Sequence, residues 1–223
     1  MILNRQTIAR AGLALLDKKG SDGLTMRALA ASLGVQAPAL YWHVKNRREL
    51  VDLMGEEIFR DALDAVGDTA VPWDTFLINV SRALRQAMLR YHQGARILAG
   101  TFVTSAVELV EPMLNAMTAA GFTVREAARF SPVVHHYTIG FTIEQQARDG
   151  SEYPGPNPYA DENLRAKLDL HRFPAQSEVF AELYQPDFDA DFEDGLAIII
   201  DGLRARLRAK GKSAAPRAAA PPR

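Results

Sequence analysis

The chain has 223 residues, 48% hydrophobic and 24% charged, the balance of an ordinary soluble globular protein of one or two domains. It contains no cysteine, which excludes a disulfide framework and thiolate metal sites, and no apolar run approaches the ~18 residues that a membrane span needs. The net charge of −1 hides an uneven distribution: residues 1–50 carry eight Lys or Arg against three acids, a net of +5, residues 204–223 carry seven bases and no acid, and the stretch between is −13. A basic head on an acidic body predicts a polyanion met by the head; the bland alternative is a solvated charge imbalance. The N-terminus lacks a signal peptide's apolar stretch, so the expected location is cytoplasmic.

Taken in order, the elements are all helices. Ile8, Ala11, Leu15 and Leu16 recur at helical spacing and predict a first helix over about 5–19, broken by "GSDG" at 20–23. Thr25 is a good N-cap for a second helix through Leu33, and Gly34 ends it where a left-handed residue is cheap. Pro38 then sits in the first turn of a short third helix, where a missing N–H costs nothing, and Asn46 caps a fourth. Two short helices joined by a glycine-containing turn form a helix-turn-helix, with Leu29, Leu33, Val35 and Leu40 as its small core. Within "GVQAPALYWHVKN" (34–46), three consecutive residues, Tyr41, Trp42 and His43, point three ways around a helix, so at least one must face outward.

The body continues with an amphipathic helix from Trp73 to Tyr91, a short one over 94–99, and two more over 107–120 and 124–148. The Pro/Gly-rich segment 150–163 reads as a loop, "SEVFAELY" (177–184) as one short helix, and Asp187 to Lys210 as the last long one. No period-2 strand pattern or repeat is found. The fold class is therefore all-α: a helix-turn-helix domain over 1–48, a helical body over 49–210 that includes a connecting helix at 49–64, and a low-complexity, disordered tail over 211–223.

The stretch "LTMRALAASLGVQAPALYWHVKNRREL" (24–50) resembles the DNA-binding domain of the tetracycline-repressor (TetR) family, and "LYWHVKN" resembles the tetracycline-repressor subgroup in particular. Weaker likeness runs through 94–101, 136–144 and the final helix. The resemblance implies an all-helical homodimer that binds a double-stranded DNA operator until a small molecule enters the C-terminal domain. It implies dimerisation through helices 124–148 and 187–209, and hence a palindromic operator. It makes the third helix the recognition helix. Gln36, Ala37, Pro38 and Ala39 then face the bases, Thr25 and Arg27 stand at the start of the second helix with Arg27 suited to guanine, and Tyr41, Trp42, His43, Lys45 and Arg47 approach phosphates. Trp42 has a second reading as a wedge in the small core, and Tyr41 as a buried structural tyrosine. Ala37 and Ala39 replace longer polar groups of the tetracycline repressors, so the operator is expected to differ.

The ligand half departs further. The subgroup's magnesium-binding histidine falls on Leu98, and other polar drug contacts fall on Leu63, Val80, Leu84 and Leu114, while Thr101, His136 and Glu144 are retained. One histidine and one carboxylate make a poor site for a hard divalent cation, so no tetracycline–magnesium binding, no metal and no cofactor are expected. The expected pocket is apolar, lined by Leu63, Val80, Leu84, Leu98, Phe102, Leu114 and Met117, with Thr101, His136, Glu144 and Asn115 as polar anchors. Each apolar residue has an alternative place in the plain core, and His136 as a satisfied core histidine. A DNA-binding regulator without a ligand is the other regulatory reading. A helical enzyme using His135, His136 and Glu144 is the remaining class, but no nucleophile motif or phosphate loop accompanies them.

Overall fold

Four side-chain and glycine caps organise the N-terminal head. The computed structural model describes residues 3–150, 155–169 and 172–214. Helix α1 (Arg5–Gly23) starts at Asn4, whose carboxamide accepts from Thr7 N–H, and is broken at Gly20, where φ is 66°. The Thr25 hydroxyl accepts from Ala28 N–H to open α2 (Met26–Leu33), and Gly34 closes it in the left-handed region at φ 67°. Helix α3 (Ala37–Tyr41) follows, and Asn46 caps α4 (Arg47–Val66) through Glu49 N–H at 2.9 Å. Helices of eight and five residues do not stand alone in water. They are held by burying Leu29, Ala30, Leu40 and Val44 against Ile8, Leu13 and Leu16 of α1 and Leu50 and Met54 of α4.

The body comprises α5 (Trp73–Leu89), α6 (Gly94–Leu98), α7 (Val107–Ala119), α8 (Val124–Arg148), three short helices α9 (Asp161–Lys167), α10 (Pro174–Glu178) and α11 (Phe180–Tyr184), and α12 (Phe188–Ala214). No strand occurs among the described residues. Two apolar clusters result. One runs from the head through α4 into Leu84, Met88, Ala95 and Leu98 of α5 and α6. The other joins Trp73, Phe76 and Leu77 to Met117, Phe122, Val134, Phe192, Leu196 and Ile200. Helix α4 thus shares one continuous core with both the head and the body.

Three expectations at the C-terminal end need correction. The loop placed over 150–163 gives way to α9 at Asp161, because Asp161 and Glu162 occupy its first turn, Arg165 and Lys167 its last, and Arg165 pairs with Asp161 one turn back. The single helix expected over 177–184 is two, separated at Val179, whose ψ of 29° leaves the helical range. Helix α12 continues to Ala214, past the boundary drawn at 210, and residues 215–223 of the expected tail lie outside the described residues.

Helix α8 opens with a reciprocal capping box: Thr123 accepts from Glu126 N–H, and Glu126 accepts from Thr123 N–H and hydroxyl. Lys210 of α12 also donates to Glu126, and with the Thr123 bonds it lowers that carboxyl's pKa from 4.5 to about 2. A depressed carboxyl contributes stability that is fully present above its unfolded value and is lost as pH falls through its folded value. NMR titration is therefore expected to put the Glu126 midpoint at about 2, and Glu126→Gln to remove part of the stability change between pH 4.5 and 2. A midpoint at the ordinary carboxylate value contradicts this arrangement.

Candidate nucleic-acid interface and ligand cavity

The third helix and the turn after it sort their residues sharply. Leu40 and Val44, four apart, are fully buried and fasten the segment to the head. Trp42 is 87% exposed and Tyr41 49% exposed, so neither the core wedge nor the buried structural tyrosine is realised. The reason is rotational: Leu40 and Val44 take the inward face, which leaves 41 and 42 on the outside. His43 is half-buried and its carbonyl accepts from Arg5 at 2.9 Å. Gln36 is exposed, makes no capping bond with its side chain, and stands at the outer end of α3 beside exposed Pro38 and half-exposed Ala37 and Ala39. Thr25, Arg27, Lys45 and Arg47 are exposed, although the Thr25 hydroxyl is committed to its cap.

The head's positive charge divides in two. Arg5 pairs with Glu49 at 2.9 Å, Arg10 with the buried Glu57, and Arg48 donates to Gly100 O at 2.7 Å while pairing with Asp52. These three arginines face α4 and the body. Lys18, Lys19, Arg27, Lys45 and Arg47 are exposed. Glu49 also accepts from Lys45 N–H at 2.8 Å; that bond and Arg5 hold its pKa below the usual value. One carboxylate therefore ties α1, the turn after α3 and α4 together.

An apolar cavity of about 240 Å³ lies among α5, α7 and α8. Val80 and Leu84 of the expected lining face it. The rest do not. Leu98 is buried in the first core cluster and Met117 in the second; Leu63 packs against the first and Leu114 against the second. Thr101 lies against Gly55, its hydroxyl donating to Ile97 O, and Phe102 is 78% exposed. His136 and Glu144 are exposed, as is Asn115. Eight residues of helix separate His136 from Glu144, roughly 12 Å along the axis, too far to share one ion. Among the described residues no group of three or more His, Cys, Asp or Glu gathers as for a metal.

Residues not anticipated complete the wall: Phe76, Leu77 and Ser81 of α5, Leu109, Val110 and Met113 of α7, and Ser131, Pro132, Val134, His135 and Thr138 of α8. They recur at three- and four-residue intervals on each helix, which was the available signal. Phe59 of α4 also lines the cavity. The Ser81 and Thr138 hydroxyls donate to their own helices, to Leu77 O and Val134 O, leaving their oxygens as acceptors. His135 is exposed to solvent on one side and meets the apolar cavity wall on the other; desolvation on that side, with a smaller contribution from His136, lowers its pKa. The neutral imidazole so favoured offers one donor and one acceptor.

The two halves match two family models, "Bacterial regulatory proteins, tetR family" over residues 8–54 and "Tetracyclin repressor-like, C-terminal domain" over 67–207. The chain belongs to the TetR family. It is 39% identical over 210 residues to the tetracycline repressor protein class A from transposon 1721 of Escherichia coli, covering 92% of each chain. A possible TetR family transcriptional regulator from Streptomyces coelicolor A3(2) superposes with a TM-score of 0.79 at 34% identity, covering 91% of this chain and 99% of the other. A tetracycline repressor variant from Acinetobacter baumannii AYE in complex with minocycline gives 0.70 at 30% identity, covering 92% and 98%. BioQ with its double-stranded DNA operator gives 0.63 at 28%, covering 92% and 99%. TetR proteins are DNA-binding regulators that respond to small molecules and are not enzymes, which sets aside a catalytic role for His135, His136 and Glu144. No helix among the described residues is long and apolar enough to cross a membrane.

Proposed function

We propose that this TetR regulator acts in the cytoplasm as a homodimeric repressor on a palindromic operator, and is released by a compact, mainly apolar effector in the cavity among α5, α7 and α8. The observation that carries the reading is Phe59: the helix bearing the head also forms part of the cavity wall. An occupant that prefers one position of α4 shifts the DNA-binding equilibrium by that differential affinity. The wall is apolar, with the His135 imidazole and hydroxyl oxygens as its polar handles, which favours a neutral aromatic or aliphatic molecule with one hydrogen-bonding group. The departures at Leu98, Leu63 and Leu114 argue against a tetracycline–magnesium chelate.

Dimerisation fits the outer faces of α8 and α12. Val124, Val133 and Ile198 are exposed there, and a Cβ at Gly140 or Gly202 would meet nothing within 4 Å, leaving room for a second copy to approach closely. Two-fold symmetry then presents two α3 helices to two half-sites. In each head, Gln36, Ala37, Pro38 and Ala39 read bases together with Thr25 and Arg27, while Tyr41, Trp42, His43, Lys45 and Arg47 seat the protein on phosphates.

The reading is tested by selecting an operator duplex from random DNA, then screening compounds for thermal stabilisation and loss of operator binding. A compound that does both supports it; binders that never weaken the operator complex overturn the sensor half. Two substitutions test the division of labour in the head. Gln36→Ala is expected to relax preference at one base pair, by about 1–3 kcal/mol, while Lys45→Ala weakens binding to all sequences and lowers the salt slope by about 1. Identical behaviour of the two on operator and random duplexes contradicts the assignment.

A further inference from the structure

Helix α4 carries two sets of polar contacts, to the head and to the body, along neighbouring rows that line one groove. Toward the head, Glu49 and Glu57 hold Arg5 and Arg10 of α1. Toward the body, Arg48, Asp52 and Glu56 recur every four residues and so share one face. Arg48 donates to Gly100 O at 2.7 Å. Glu56 accepts from Thr104 N–H at 2.8 Å, from the Thr104 hydroxyl at 3.1 Å and from Ser105 N–H at 3.2 Å. Between them Gly55 leaves room for Thr101, whose Cγ2 lies 2.5 Å from where a Cβ would stand.

The segment so held leads directly into α7, and Ala106, Leu109 and Met113 beyond it line the cavity. Helix α7 has no side-chain cap of its own: its N-cap residue is Ala106. Its first-turn N–H groups bond instead to Thr104 O, Ser105 O and Ala106 O, and Glu56, 48 residues from Thr104 in sequence, holds the two residues that supply the first two of these carbonyls. Any shift of α7 therefore either drags α4 with it or strips a carboxylate of three donors.

We propose that Glu56 is a latch that couples the position of α7 to that of α4, so that the filling of the cavity is transmitted to the head through this one carboxylate. The proposal rests on the reading of the cavity as the effector site. Glu56 is a positioning residue: it touches neither the cavity nor the DNA-facing surface, and it acts through the backbone of residues 104 and 105.

The test needs no identified effector. Met113→Trp fills the cavity from α7 in the full chain, and Val80→Phe fills it from α5 should the first variant fold poorly. Operator affinity is measured for the parent, each filled variant, Glu56→Ala and the double variants, using the duplex selected by the parent protein. Filling is expected to weaken operator binding about 5- to 150-fold when Glu56 is present. It should change binding less than about twofold in the Glu56→Ala background. Glu56→Gln, which keeps one acceptor oxygen, should restore part of the response. Amide exchange at Thr104 and Ser105 should quicken in Glu56→Ala. An equal loss on filling with and without Glu56 overturns the latch while leaving the cavity reading intact. No loss on filling in either Glu56-containing variant, with both folded, overturns the cavity reading and the latch with it.

Discussion

Leu40→Ala is expected to abolish operator binding and to lower the unfolding free energy by about 2–5 kcal/mol. Leu40 is fully buried and is the only buried residue of α3. A five-residue helix has no stability of its own, so its position is set by what this side chain touches. Removing it leaves a cavity in the first apolar cluster and frees the one inward anchor between Gln36 and Tyr41. Equilibrium denaturation and operator binding, measured together, check this. Full operator affinity in the folded variant would show that Val44 alone holds the segment.

Gly94→Ala is expected to destabilise the body by about 3 kcal/mol or more. A Cβ there would lie 2.2 Å from the Met88 carbonyl oxygen and 3.0 Å from its carbon. These are backbone atoms in the tight connection between α5 and α6. They have little freedom to move, because Gln146 of α8 donates to Met88 O and Tyr91 O and accepts from Ala95 N–H. The preceding residue, Gln93, already adopts a positive φ of 57°. Relief requires displacing α6, which buries Ala95, Ile97 and Leu98 against the α4 side of the core. The gain in helix propensity from glycine to alanine, about 1 kcal/mol, does not offset this. Urea denaturation decides it: a loss below about 1 kcal/mol would mean that the connection yields.

The head was legible from sequence because its signals are local. Thr25, Gly34 and Asn46 act within four residues of themselves, and each cap appears where the residue type demands it. The cavity was legible only in part. Its wall depends on which faces of α5, α7 and α8 meet, and on α8 half-buried residues are interspersed with a broad exposed stripe. Spacing along such a helix does not fix its rotation, so the sequence points to His136 whereas His135 lines the cavity, a difference of about 100°. The expected Thr101 and Leu98 were adjacent to the right elements but turn toward α4 and the core. Glu56 carried no sequence signal, because its partners lie 48 and 49 residues downstream. Helix α9 rests on i,i+4 charge pairing at the edge of a Pro- and Gly-rich segment whose composition points to a loop.

The two tryptophans of the chain occupy opposite environments. Trp73 is 7% exposed and set edge-on to Phe122 at 5.1 Å, whereas Trp42 stands 87% exposed at the C-terminal end of α3. The protein thus carries its own pair of optical reporters. One indole is open to aqueous quenchers, and a partner that covers Trp42 is expected to remove that access. The other is shielded inside the body and serves as an internal reference in the same emission spectrum.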